Sequence, residues 1–384
     1  MNTRMISFSP VDAWFFRDGR PYHLGESGQT DVQSLFPPHA PTVIGTVRAA
    51  LARGQGWDGR GAWNNDLHST LGNGAHDIGA LRFTGPFLTR KQQTLLPVPL
   101  HLLGGLRELS DAVRWTPTTF LAPSETALEC DLGNVRFPVP LNHPKEGQLK
   151  EPAEMWVTVD GYSRILRGES PEQDSLFHSD QLWKTESRVG LARDHASRSA
   201  EEGKLYSPSF VRLHKEVQLA VWVDGIPDDW TIPDLNTFGG ESRLAHCETE
   251  QSERPLPEVP ADKIRESGRF TVSLLTPMLL PSTATGQQTH PQPGETLHSL
   301  SGAKIVSACV GKPIRIGGWN SVHREPEPLL AYLPAGSTWF CELTRPDALD
   351  SLLKMHGQTI GDKPDHGFGQ IVIGAWPTSK GDTL

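Results

Sequence analysis

Apolar and polar residues alternate through residues 4–9, with Ile6 and Phe8 set against Met5, Ser7 and Ser9, and this period of two predicts a first strand. It runs into an aromatic cluster, Trp14, Phe15 and Phe16. Phe36, Pro37, Pro38 and Pro41 then hold the chain extended, and Thr42 stands where a helix can begin. Val43, Ile44, Val47, Ala50 and Leu51 share one helical face, and Gly54 suits the position just past its end.

Residues 80–87 and 94–102 read as strands, the second demoted to an edge or an extended loop by Pro97 and Pro99. Residues 55–74 predict an irregular loop, and 114–154, rich in prolines, predict an insertion that is not a separate domain. Residues 186–206 predict a long loop or hairpin, whereas 210–223 alternate clearly and predict one strand. Later strands are expected at 269–275, 304–310, 313–316 and 337–343. A helix at 346–356, carrying Ala348, Leu349, Leu352, Leu353 and Met355 at helical spacing, precedes a glycine-spaced loop at 357–369 and a last strand at 371–375.

The 384 residues exceed one typical domain, so two are expected, divided in the acidic, proline-rich stretch after Gly225 into 1–226 and 227–384. Thirty-seven glycines and 32 prolines favour turns over a helical bundle. Cys130, Cys247, Cys309 and Cys341 form no CxxC pair, which predicts neither a zinc site nor a disulfide framework and suits a reducing cytoplasm. No run approaches the roughly 20 apolar residues of a membrane span, so a soluble, cytoplasmic chain without a membrane partner is expected. A net charge of -9 opposes nucleic-acid binding by the chain as a whole. The charge is segregated, however: 302–324 hold Lys304, Lys312, Arg315 and Arg324 and no acid, while 228–266 is strongly acidic. That pattern suits a subunit gripping a short RNA segment and spending other surface on protein partners.

Residues 15–21, FFRDGRP, offer Arg17 and Arg20 to phosphates and Phe16 to a base, with core packing the alternative for the ring. At the start of the first helix, Thr42 and Gly45 mark a place where amides and open space could receive a phosphate, with Arg48 one turn on. The competing reading of Gly45 is close packing of the helix on a sheet. Arg188, Arg193, Arg198 and Lys204 are candidate backbone contacts and Tyr206 a candidate stacking ring. Arg243 in FGGESRLA and Trp319 in GGWN join them, as do Gly367, Phe368 and Gly369 in GFGQIVIG, where a β-turn is the alternative. The last motif follows a helix and precedes a strand, the reverse of a dinucleotide fingerprint.

FFRDGRP followed by FPPxxPTxxGTxRAAL resembles the RAMP-superfamily subunit that holds the guide-RNA 5′ handle in type III-B (Cmr) CRISPR effector complexes. The block around Glu186, Arg188, Gly190, Arg193, Ala200, Glu201, Glu202, Gly203, Leu205 and Tyr206 is similar to that family's centre, and FGGESRLA, TPMLL, GGWN, PAGSTWF and GFGQIVIG follow in the family's order. The resemblance implies an α+β fold of two ferredoxin-like (RRM-like) βαββαβ units with long loop insertions. It also implies a non-catalytic subunit, without cofactor or metal, whose partners are the guide RNA 5′ handle, the large polymerase-like subunit and the backbone subunits. It identifies GFGQIVIG as a glycine-rich loop beside bound RNA.

Hydrolytic signatures are missing: there is no HExxH, GxSxG, P-loop or paired cysteines. His39, His143 and His195 leave a metal-independent repeat-RNA endoribonuclease of the same superfamily as the alternative, with a stand-alone metabolic enzyme behind it.

Overall fold

The computed structural model describes residues 3–17, 31–32, 34–74, 76–108, 113–131, 133–143, 148–193, 200–282, 290–297, 300–320 and 324–378. The chain is α+β, with mostly antiparallel sheets and few helices. It divides into two compact units that interleave along the sequence: 1–92, 182–253 and 315–330 form the first, and 93–181, 254–314 and 331–384 the second. The expected division after residue 226 falls inside the first unit, whose last strand comes later.

In the first unit, β1 (Arg4–Pro10) leads to α1 (Ala40–Gly54) and then to β2 (Arg82–Arg90). A smaller sheet follows, built by β3 (Trp183–Ser187), β4 (Gly190–Arg193) and the long β5 (Ala200–Leu213), so the expected loop or hairpin at 186–206 is strand paired to strand. β6 (Val217–Asp224) and β7 (Leu244–Gln251) join β1 and β2 in the largest sheet, of eight strands, where these four lie side by side in the order β2-β6-β1-β7 with every pairing antiparallel. Ile6 faces Val221 and Phe8 faces Leu219 in register, all four buried, as the alternation requires. The single strand expected at 210–223 is two strands, because the chain turns at Glu216, whose φ is 67°. Both halves alternate, which hid the turn.

α1 buries Val43, Ile44, Val47, Ala50 and Leu51, the predicted face. It runs through Gly54 instead of ending before it, and a Cβ there would stand 2.0 Å from the carbonyl oxygen of Thr231. The glycine therefore permits a close backbone approach, not a cap. Between β6 and β7 the chain forms loops and the short strand Leu235–Thr237, with no helix.

In the second unit, β8 (Arg269–Leu274), β9 (Ala303–Cys309), β10 (Thr338–Leu343) and β11 (Ile371–Ala375) pair antiparallel in the order β9-β10-β8-β11. α2 (Val159–Leu166) starts at Thr158, whose hydroxyl accepts from the Gly161 amide at 3.2 Å, and α3 (Leu349–Leu353) lies between β10 and β11. A Cβ on Gly374 would lie 2.9 Å from Leu166, so α2 packs closely against β11. Phe270, Val272, Trp339, Ile371 and Ile373 form the centre of this core.

The four strands named in each sheet thus lie in the order second, third, first, fourth. Among the described residues the first has a helix only in its first crossover and the second only in its second. Where a proline-rich loop was expected, Val113–Pro123 is a strand pairing with Leu102–Glu108 and Pro138–Pro140. Pro117 stands at the slip in register, where a proline costs no regular ladder bond. No helix among the described residues is long and apolar enough to cross a membrane.

Candidate nucleic-acid interface

Three separated motifs meet in the first unit. The Gly240 amide donates to the Phe15 carbonyl at 2.8 Å, and Gly239, at φ 83°, passes so near that a Cβ would sit 2.5 Å from the same oxygen. Phe238, the residue before, packs its ring 4.8 Å from Phe8, 4.9 Å from Trp14 and 5.1 Å from Phe16. Phe16 is buried in this aromatic cluster and offers no free face to a base, which corrects its assignment as a stacking ring. The apolar payload of the cluster outweighs anything an exposed ring would contribute there.

Beside it, Phe15 lies 5.6 Å from the buried Phe210, whose ring lies 4.3 Å from the guanidinium of Arg243 and 4.9 Å from that of Arg188. Arg188 and Arg212 close a ring of charge with two carboxylates: each donates to Asp12 at 2.8 Å and to Glu186 at 2.7 Å. Hydrogen bonds from the two arginines hold both carboxyls below the ordinary carboxylate range and raise the arginines in turn. Arg243 approaches Asp12 at 3.6 Å, and its Nε is buried without a hydrogen-bond partner among the described residues. Three guanidinium groups against two carboxylates leave one positive charge beside a water-accessible surface. Asp12 and Arg212 were missed in the sequence, where Asp12 precedes the aromatic run and Arg212 reads as an outward position of a strand.

The first helix begins at Ala40, with Pro41 in its first turn and the Thr42 amide bonded to the His39 carbonyl at 3.1 Å. Few amides remain for an anion, so Thr42 contributes an exposed side chain rather than a phosphate cradle. Gly45 lies in the second turn, exposed, with nothing among the described residues within 4 Å of a Cβ placed on it. Close packing on a sheet is therefore not its role. Arg48 points away from any phosphate: it is buried, donates to the carbonyls of Leu71, Gly74 and Asp77 at 2.7, 2.7 and 2.9 Å, and lies 5.1 Å from the Trp63 ring. Burial lowers its pKa to about 10. His39 is held neutral by burial, with a pKa of about 4.

Arg17 is exposed, its backbone bridged to Ser34. On the strand Ile314–Asn320, alternation puts Arg315, Gly317 and Trp319 on one face, where a Cβ on Gly317 would meet Leu329 at 2.9 Å, and turns Gly318 toward Pro41. Trp319 is 61% exposed, enough to leave an indole face open. Arg193, Lys204 and Tyr206 lie on β4 and β5 with side chains outside the described set, and Arg20 and Arg198 lie outside the described residues altogether.

GFGQIVIG is an internal turn of the second unit. The Gly367 amide donates to Pro364 O and the Gly369 amide to Pro277 O, Phe368 packs 4.7 Å from Tyr332, and a Cβ on Gly369 would sit 1.8 Å from the Ile360 carbonyl. All three residues are buried, with both glycine amides spent on backbone, so the predicted phosphate contact is replaced by a turn that only glycine can make.

No curated protein matches the chain in sequence. Among solved structures, a chain of the type III-B Cmr-beta complex bound to cognate target RNA is 18% identical, with a TM-score of 0.48, over 88% of this chain and 86% of that one. A chain of the Csm3-Csm4 subcomplex of the type III-A CRISPR-Cas interference complex is 12% identical, with a TM-score of 0.38, over 88% and 92%. The family model for CRISPR-associated protein Cas_Cmr3 matches residues 6–376, and with that span covering nearly all of both units, the chain belongs to the Cas_Cmr3 family.

Proposed function

We propose that this chain is a non-catalytic, RNA-binding subunit of a type III-B CRISPR ribonucleoprotein. In this reading it anchors the 5′ handle of the guide RNA and bridges the large polymerase-like subunit to the backbone subunits, and its two sheets are ferredoxin-like units that have each kept one crossover helix. The observation that carries the reading is the meeting of Asp12 and Phe15, the Glu186–Arg188 segment and the Phe238–Arg243 part of FGGESRLA at one charged, aromatic-backed surface of a Cas_Cmr3 chain. Arg188 and Arg243 offer planar donors already oriented on Phe210, while exposed Arg17 and Trp319 supply further charge and a stacking face. The low pKa of His39 makes it a poor general acid near neutrality, which counts against RNA cleavage by that residue.

The test is ultraviolet cross-linking of repeat-derived guide RNA in the complex assembled with the proteins encoded beside this one. Cross-linked peptides from 12–17, 186–213, 239–243 or 315–320, attached to the RNA 5′ end, support the reading. Cross-links confined to other subunits, with this chain present, would overturn it.

A further inference from the structure

The second unit has an exposed apolar edge that its own core does not use. In the hairpin Leu128–Cys130 and Gly133–Val135, Leu128 stands opposite Val135. Val135 is itself buried, but Phe137 and Val139, two and four residues further on, are 41% exposed each, and Leu128 is 57% exposed. Large apolar side chains left in water singly mean little; three within twelve residues, on one hairpin and the strand that follows it, mark a contact surface.

The surrounding charge selects the kind of partner. Glu125, Glu129 and Asp131, in the same stretch of chain as the apolar residues, are exposed. Arg136, in the same stretch, turns inward: it donates to the Ser124 carbonyl at 2.5 Å, lies 5.8 Å from the Trp376 ring and pairs with Glu342. The rim is therefore acidic, which repels a phosphate backbone and attracts lysine and arginine. Pro138 and Pro140 have no N–H to give an added strand, so the contact is made by side chains and not by extension of the sheet.

We propose that the edge formed by Leu128, Phe137 and Val139 docks a protein subunit through an apolar pocket of that subunit rimmed by lysine or arginine. The inference rests on the chain working within an assembly, and not on where its RNA lies. Docking buries the three apolar side chains against the pocket, and the acidic rim sets orientation and makes association salt-sensitive.

The experiment places the photoreactive residue benzoylphenylalanine at position 137 and irradiates the complex co-expressed from the neighbouring genes. Cross-linking to one protein subunit, at apolar residues flanked by lysine or arginine, is the expected result. A Phe137→Glu, Val139→Glu chain should lose that subunit on native mass spectrometry while keeping its guide RNA, and a Glu125→Lys, Glu129→Lys, Asp131→Lys chain, altered only at exposed positions, should release it at lower salt than the wild type. Cross-links to RNA or to a second copy of this chain would overturn the proposal. So would an intact complex in which position 137 cross-links to nothing and both variants keep every subunit. A wild-type chain that purifies with no other subunit would overturn the assembly reading, and this one with it.

Discussion

The guanidinium of Arg243 lies 4.3 Å from the centre of the Phe210 ring, so a residue of the loop before β7 rests on the floor provided by β5. Its planar group is thereby oriented before any ligand arrives. Arg243→Lys keeps the charge and loses both the stacked plane and the reach toward Asp12. We expect guide-RNA affinity to fall about tenfold, worth about 1.4 kcal/mol, with a smaller loss of melting temperature because the side chain, though packed on Phe210, keeps about a quarter of its surface (26%) in water. Filter binding together with thermal melting reads both numbers. Equal loss of stability and affinity would place Arg243 in the fold alone.

Asp12 and Glu186 make a different prediction, because their carboxyls are held below the usual range by Arg188 and Arg212. A group whose folded pKa is depressed stabilises fully above its unfolded pKa, about 4 for these side chains, and loses that contribution as the pH falls through the folded value. The ring ties Asp12, just after β1, to β3 and β5, so its opening should loosen β3 and β5 first. Hydrogen exchange across 183–213 should accelerate below about pH 4 in the wild type and already at neutral pH in Asp12→Asn. Unchanged protection in the variant would mean that the ring adds nothing to this surface, as many exposed ion pairs do not.

How much of this surface was legible beforehand can be argued residue by residue. The strand through Ile6 and Phe8 and the helical face through Val43 and Leu51 were readable because one buried side forces a period. The turn at Glu216 was not, since both flanking strands keep the same alternation. Arg17, Arg188 and Arg243 could be singled out by type and neighbours, and Glu186, two residues before Arg188, is a local partner, but Asp12, at 176 residues' distance, becomes visible as its other partner only when the chain is folded. Arg48 misled because an arginine one turn past a glycine looks solvent-facing, and nothing local announces that the carbonyls of Leu71, Gly74 and Asp77 converge on it. Gly369 misled for the opposite reason: glycine beside an amide suits a phosphate and a backbone contact equally well, and here Ile360 is the neighbour.

Arg48 carries a stability prediction in place of an RNA one. Arg48→Met preserves length and apolar packing but leaves three carbonyl oxygens without their charged donor. The expected cost is about 3–5 kcal/mol, with the backbone at Leu71, Gly74 and Asp77 opening first. Urea unfolding measures the cost, and limited proteolysis locates the opening. RNA affinity of the folded variant should match the wild type; a selective loss of RNA binding at unchanged stability would return Arg48 to the interface.

In the second unit, His101 is buried with its Nδ1 3.2 Å from the Thr338 hydroxyl, which itself donates to the Gly336 carbonyl at 3.0 Å. The imidazole is neutral, with burial lowering its pKa to about 3. The unfolded chain takes up this proton near pH 6.5, so from there down toward pH 3 it binds more protons than the folded one and stability falls with acidification. At pH 5 this residue should cost about 2 kcal/mol relative to pH 7.5. His101→Asn, which retains a donor and cannot gain the charge, should flatten the difference in urea unfolding between those two pH values. An equally steep dependence in the variant would assign the acid sensitivity to other histidines whose pKa desolvation lowers, such as His356.

Gly45 separates folding from binding most cleanly, because alanine there meets nothing among the described residues and replaces a poor helix former by the best. Gly45→Ala should raise stability by about 1 kcal/mol. If the open flank of α1 receives the ribose-phosphate chain, the same methyl group occupies the space the backbone needs, and affinity for the guide RNA should drop about tenfold in spite of the sturdier helix. Melting and RNA titration on the same preparation give the answer directly. Stability up with affinity down places RNA against this flank. Stability up with affinity unchanged removes the first helix from the interface and leaves the Arg188 and Arg243 surface to carry the RNA.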